Sequence, residues 1–249
     1  MKIQSNSYHP KYDNEGNLIA TGRRNSLYRL NAIKKEVNFK DKTVLDLGCQ
    51  SGFFSFDLAK TCKKVIAVDA DIQHINENRK KASNLGIKNL TFIHAKITPE
   101  TLDTLPKFDV ILCLSVFHHL MISTNLHDFD SSLNQSDWKG VLDRLRIKSN
   151  VLIFEMGNSY ERKPWAKKLG TITKNSNKWI FDNVFKNEYK KVISIKGANY
   201  KKNIIKTAPW IKYLLYRLPY GNKILNSLGL PPHDFRDIHI GFKSTETCI

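Results

Sequence analysis

Cysteine is scarce in this chain: four in 249 residues, Cys49, Cys62, Cys113 and Cys248. None stands in a CxxC pair and no histidine lies at zinc-finger spacing. A structural zinc site and a disulfide framework are therefore not expected, and a reducing compartment is. Long apolar runs are also missing, so no membrane-spanning helix is expected. The opening MKIQSNSYHPKYDNEGNL has no apolar stretch of signal-peptide type, which points to the cytoplasm. Internal repeats, low-complexity tracts and recognisable RNA-binding modules (RRM, KH, zinc ribbon) are absent. Acidic residues are few, 23 against 40 Lys and Arg, for a formal charge of +17. Such a surface attracts phosphates, nucleic acid or anionic lipid, although a composition rich in Lys, Asn and Ile also follows from AT-rich coding.

What is present is an alternation of short apolar strands and amphipathic helices. Hydrophobic residues make up 41% of the chain, enough for one sizeable core. SLYRLNAIKKEV (26–37) has helical spacing, with Leu27, Leu30, Ile33 and Val37 on one face. KTVLDLG, KVIAVDA, LTFIHAK, FDVILCLS and NVLIFEMG are five strands. The helices between them include DIQHINENRKKASNLG, with Ile72, Ile75, Arg79, Ala82 and Leu85 in register and Gly86 as its stop. YKKVISIKG and DIHIGFK add two strands. This order predicts an α/β fold, a seven-stranded mostly parallel sheet with helices on both faces. Three regions follow. Residues 1–39 are an extension, polar and loosely held to about residue 25, ending in a helix. Residues 40–157 are the ligand-binding core. Residues 158–249 are the other half of the same domain, with an inserted helical lobe over about 198–235 before the last strand.

Ligands of such sheets sit outside the carboxyl ends of the strands. VLDLGCQSGFFSF (44–56) is a strand, a tight turn and a helix start. Gly48 and Gly52 let the backbone bend and approach a ligand without a Cβ in the way. Asp69, about 20 residues on, ends the second strand where a ribose diol can be met. A dinucleotide and S-adenosyl-L-methionine both fit that outline. The pattern here is D-x-G-x-x-x-G, however, with Gln50 in place of a central glycine. Asp46 in the turn repels a pyrophosphate and suits a ligand that carries an ammonium and a sulfonium.

In VLDLGCQSG, VIAVDAD and FDVILCLSVFHHL, in that order and spacing, the chain resembles the class I S-adenosylmethionine-dependent methyltransferases, whose fold is Rossmann-like. That resemblance implies that Asp46, Gly48 and Gly52, with Cys49, Gln50 and Phe53 around the turn, line the methionine end of the cofactor. It places Asp69 and Ala70 at the ribose, Ala95 and Lys96 at the adenine edge, and Ser115 beneath the cofactor. Many members carry an acid where this chain has Lys96. VLDLGCQSGFFSFDLA, LSVFHHL and IFEMGNSYERKPW together resemble the methyltransferase module of bacterial O-antigen chain-capping enzymes, which implies an acceptor that is a terminal phosphate or sugar. VILCLSV also has a likeness to the RNA 5′-phosphate capping methyltransferases.

For the acceptor, His118 and His119 follow the fourth strand and are candidates for a general base. Glu155 falls at a position matching the capping enzymes and joins them as a catalytic candidate. Arg162 and Lys163, with Lys167 and Lys168, follow the fifth strand; Lys196, Lys201 and Lys202 follow the sixth. These form a candidate rim for an anionic acceptor, with Arg162, Lys163, Lys201 and Lys202 foremost. PWIKYLLYRLPYGNKIL places Trp210, Ile211, Leu214, Leu215 and Leu218 on one arc of a helix. Residues 209–218 are thus a lid, a peripheral membrane contact or a partner site. The leading expectation is methyl transfer to an oxygen of an anionic acceptor such as a glycan phosphate or sugar. An RNA methyltransferase, a small-metabolite methyltransferase and a non-catalytic partner protein of the same fold are the alternatives.

Overall fold

A computed structural model describes residues 3–4, 11–12, 18–21, 26–122, 137–157, 164–174, 176–195 and 236–244. The first strands are β1 (Ile3–Gln4), β2 (Lys11–Tyr12) and β3 (Leu18–Thr21). They pair in the order β1-β3-β2. A paired sheet thus stands in the stretch expected to be loosely held; its polar composition gave no strand periodicity to read.

The helix expected over 26–37 is α1 (Ser26–Glu36). Its buried face differs from the expected one. Ser26, Arg29, Leu30 and Ile33 are inside, while Leu27 is 50% exposed. At 100° per residue, Leu27 sits a quarter turn off the line through Leu30, Ile33 and Val37, and Arg29 takes the place inside. After α1 come β4 (Thr43–Leu47), α2 (Phe53–Leu58), β5 (Lys64–Asp69), α3 (Ile72–Asn84) and β6 (Leu90–His94). Then follow α4 (Pro99–Asp103), β7 (Phe108–Leu114), α5 (Phe117–Ile122), α6 (Trp138–Lys148) and β8 (Ser149–Glu155). The rest are α7 (Pro164–Thr173), α8 (Ser176–Ile180), a π-helical turn over Phe181–Phe185, β9 (Lys191–Ile195) and β10 (Ile238–Phe242). In α3, Ile75, Asn78 and Ala82 are buried, but Ile72 and Leu85 are exposed. Gly86 beyond it has φ +64°.

The main sheet has seven strands in the order β6-β5-β4-β7-β8-β10-β9. β4 to β8 are parallel, and β10 runs antiparallel to both of its neighbours. Side chains alternate across it. Val44, Val65, Ala67, Val110, Leu112 and Ile153 pack with α1, α2 and α3. Leu45, Leu47, Val68, Ile111 and Phe154 pack with α4 to α8 on the other face. Helices cover both faces, as the near-continuous apolar strands require. The chain reverses its direction of growth between β4 and β7, and this is where the carboxyl edge opens for a ligand. The expected lobe, about 198–235, lies outside the described residues, as do Arg162, Lys163, Lys196, Lys201, Lys202 and residues 209–218.

Candidate active site

The turn after β4 is held from below by β5: the N–H groups of Gly48 and Cys49 donate to the Val68 carbonyl at 2.8 and 3.1 Å. Gly48 has φ +69°. A Cβ there would lie 2.9 Å from Val116 Cγ2, so the turns after β4 and β7 touch at this point. Gly52 closes the turn at φ +72°, and a Cβ on it would lie 2.9 Å from the Phe56 ring. Gln50 between them is left-handed at φ +48°. A non-glycine residue persists there only where its surroundings over-determine it. Its N–H donates to Asp69 Oδ2 at 2.8 Å and its carbonyl accepts from Asn78 Nδ2 at 2.7 Å. Asn78 is a residue that sequence reading missed. It is buried among the apolar residues of α3, and its one trace in the sequence is an asparagine on the core face of a helix.

Asp69 is held by backbone on both oxygens, Oδ2 by Gln50 and Oδ1 by Asp71 N–H at 2.9 Å. A carboxylate oxygen accepts more than one hydrogen bond, so the group retains capacity for a diol. Ala70 follows, and its carbonyl lies 3.0 Å from His94 Nε2. Ala95 N–H donates to the Asp69 carbonyl at 3.0 Å, which brings the β6 edge alongside. Lys96 beyond it is exposed. Asp46 points to the α2 face, 3% exposed, and accepts from Ser55 Oγ at 2.5 Å. Burial raises its carboxyl to about 6, against the pull of the Ser55 bond. Burial, with Asp46 and Asp69 nearby, also pushes the Cys49 thiol up, so it is a packed thiol and not a nucleophile. Phe53 is buried at the start of α2.

These residues fit S-adenosyl-L-methionine. A bare-backbone turn sits under the site, a buried acid has no salt bridge among the described residues, and a second acid ends the next strand. Asp69→Ala is expected to weaken its binding about tenfold, or 1.4 kcal/mol, in calorimetry. Unchanged affinity would remove Asp69 from the site.

The turns after β7 and β8 carry the other candidates. Ser115 is left-handed, φ +64°. Its N–H donates to the Glu155 carbonyl at 2.8 Å and its Oγ to Glu155 Oε1 at 2.6 Å. The Glu155 carboxylate is buried, ion-paired with Arg29 of α1, and 3.7 Å from Arg236 Nη1. Glu155, a catalytic candidate by its position in the sequence, meets both arginines and Ser115 at this point. Its oxygens are engaged by two guanidinium groups and a hydroxyl, which makes it a fixed anchor.

α5 carries the two histidines, with ring centroids 4.1 Å apart. His118 is 1% exposed and its Nδ1 accepts from Gly157 N–H at 3.2 Å. His119 is half-buried, the more accessible of the pair. Lys168 of α7 donates to the Ile122 carbonyl at 2.8 Å. It therefore caps the end of α5. No described helix is long and apolar enough to cross a membrane.

The family model described as a methyltransferase domain matches residues 38–194. Among curated proteins, the U6 snRNA methylphosphate capping enzyme Amus of Drosophila melanogaster is 35% identical over 113 residues, 39% of this chain and 36% of that protein. The O-antigen chain terminator bifunctional methyltransferase/kinase WbdD of Escherichia coli is 29% identical over 130 residues, 49% of this chain and 16% of that protein. A WbdD crystal structure with a kinase inhibitor superposes with a TM-score of 0.57 at 22% identity, covering 89% of this chain and 42% of that one. The chain thus spans well under half the length of these relatives, and the structural likeness is one of fold. With the family model covering more than half of the chain and the strand order and turns described above, the chain belongs to the methyltransferase domain family, as a class I S-adenosylmethionine-dependent methyltransferase.

Proposed function

We propose that this chain transfers a methyl group from S-adenosyl-L-methionine to an oxygen of an anionic acceptor, a phosphate or sugar of a glycan. The observation that carries this reading is the split of charge along the carboxyl edge of the sheet. The carboxyl ends of β4 and β5 supply the acids Asp46 and Asp69. Around the ends of β7 and β8 stand His118 and His119 of α5, Arg236 ahead of β10, and Arg29, which reaches Glu155 from α1. The acids there are engaged: Glu155 by the arginines, and Asp237 by Asn177 Nδ2 at 2.9 Å. The names of the relatives, a methylphosphate capping enzyme and an O-antigen chain terminator, support an acceptor of this type.

Bound at the turns after β4 and β5, the cofactor supplies an electrophilic methyl group. The protein's part is to hold an acceptor oxygen in line and to exclude water. A phosphate oxygen is already ionised near neutral pH and needs orientation more than a base. The test is a pH–rate profile on a glycan that ends in a phosphate, against the same glycan after phosphatase treatment. The expected rate is flat above about pH 7, where a phosphate monoester is mostly dianionic. Either histidine-to-alanine variant then keeps turnover within about tenfold, below the usual contribution of a general base. Loss of rate as pH falls through roughly 6.5, with turnover on the dephosphorylated glycan, would replace the phosphate by a hydroxyl activated by His118 or His119. Replacing Arg162 and Lys163, or Lys201 and Lys202, by alanine is expected to raise the acceptor KM and leave cofactor affinity unchanged. Unchanged KM would end the basic-rim reading.

RNA is the second reading, favoured by the formal charge of +17 and the likeness to the snRNA capping enzyme. A gel shift with a 5′-phosphorylated RNA that weakens steeply with salt, and methylation of that RNA, would put it first.

A further inference from the structure

We propose that Arg29 and Arg236 are positioning residues of the methyl-transfer site, acting through Glu155 and Ser115 on the turn that carries Gly48. This inference rests on the functional reading above and adds two residues to it, both outside the 38–194 stretch that matches the family model.

The chain of contacts is continuous. Arg29 comes from α1 and is 2% exposed; Arg236 precedes β10 and is 8% exposed. Both meet the carboxylate of Glu155 at the end of β8, itself 1% exposed. Glu155 grips Ser115 twice, by its main-chain carbonyl and by Oε1. Ser115 is a non-glycine residue at φ +64°, a conformation that such a residue keeps only under restraint. The next residue, Val116, fills the space where a Cβ on Gly48 would stand. The direction of the Val116 side chain, and so the floor under the Gly48 turn, depends on the conformation of Ser115.

Stability alone is a weak reason for such a cluster. A buried ion pair recovers little more than the cost of removing its charges from water. A buried acid that fixes a strained residue beside the cofactor turn has a use that an apolar replacement lacks. Arg29 is also tied into the core by its guanidinium, 5.5 Å from the Phe54 ring of α2. α1 therefore sets the position of Glu155 relative to the helix that follows the turn.

Glycine adopts φ +64° without restraint, and this makes the proposal separable from a merely structural role. Calorimetric titration with S-adenosylmethionine is run on the wild type, Glu155→Gln, Arg29→Met, Arg29→Lys, Ser115→Gly and the double variant Glu155→Gln with Ser115→Gly. Glu155→Gln is expected to weaken binding about tenfold, and Arg29→Met by a similar factor. Arg29→Lys, which keeps the charge, is expected to recover most of the loss. In the Ser115→Gly background, Glu155→Gln is expected to cost less than about threefold, since coupled residues are not additive. An equal loss in both backgrounds, or a lowered melting temperature with unchanged affinity, overturns the proposal and leaves the cluster as scaffold. If Glu155→Gln does not fold, the comparison of Arg29→Met with Arg29→Lys in the two Ser115 backgrounds decides in the same way. Absence of binding by the wild type overturns the functional reading and this proposal with it; binding by the wild type with uncoupled variants overturns this proposal alone.

Discussion

Replacing Gly48 by alanine is expected to weaken S-adenosylmethionine binding by at least about a hundredfold, near 2.7 kcal/mol. Two costs combine. At φ +69° an alanine is left-handed, which costs roughly 1–2 kcal/mol for a residue with a Cβ. The new methyl also lies 2.9 Å from Val116 Cγ2 and 3.0 Å from Val116 Cβ. Neither turn can yield freely. The Gly48 and Cys49 N–H groups are bonded to Val68, and Ser115, next to Val116, is bonded twice to Glu155. Adding Val116→Ala removes the contacts with the two Cγ atoms but keeps the one with Cβ, and is expected to restore only part of the loss, leaving the left-handed cost in place. Calorimetry on the three proteins checks this. Binding by Gly48→Ala within twofold of wild type would mean that the turn does not floor the site.

Asp46→Asn is expected to move stability and affinity in opposite directions. Burial raises the folded-state carboxyl to about 6. An acid raised in this way favours the folded state while protonated. Its contribution is full below the unfolded value near 4 and is lost as pH rises through about 6. A rise of this size corresponds to about 3 kcal/mol forgone by the ligand-free protein at pH 7. Asparagine has no charge to desolvate and can still accept from Ser55, so the ligand-free variant is expected to melt higher than wild type at pH 7 and no higher at pH 4. A cationic ligand reverses the balance, because it needs the ionised acid. S-adenosylmethionine affinity is expected to fall about tenfold or more in Asp46→Asn, and wild-type affinity to fall as pH drops from 7 to 5. An Asp46→Asn protein that binds as tightly as wild type, with the same pH dependence, would place Asp46 away from the ligand's charges.

The sheet was legible in the sequence because its strands are short apolar runs with helices of regular period between them. All seven expected strands form, in the order that places the glycine turn at the topological reversal. Asp46, Gly48 and Asp69 are brought together because each is fixed to a strand end, with Gly52 at the start of the helix that follows, and these are local properties. The Arg29–Glu155–Arg236 cluster was not legible. Its members are more than eighty positions apart and meet only once the sheet is closed. A buried arginine on a helix also reads as a solvated charge until the packing is known. The π-helical turn, α4 and α8 were not legible for a different reason: five residues are too few to establish a helical period. His118 and His119 were identified by type and by their place after β7. Only packing separates them, with His118 sealed against Gly157 and His119 left half-buried.

The reversed strand has a consequence for assembly. β9 joins the sheet through β10, and β10 follows it in the chain only after residues 196–235. While the chain is being made, β8 therefore presents an open edge, and β9 has no place to dock until β10 has inserted between them. An open, apolar strand edge invites pairing with another chain, and this long-range insertion is the slow kind of contact to form. Arg29 is available to Glu155 as soon as β8 exists, whereas Arg236 arrives with the inserting strand. Closure of the sheet and completion of the arginine pair are thus one event, late in folding, and truncation ahead of Arg236 forfeits both.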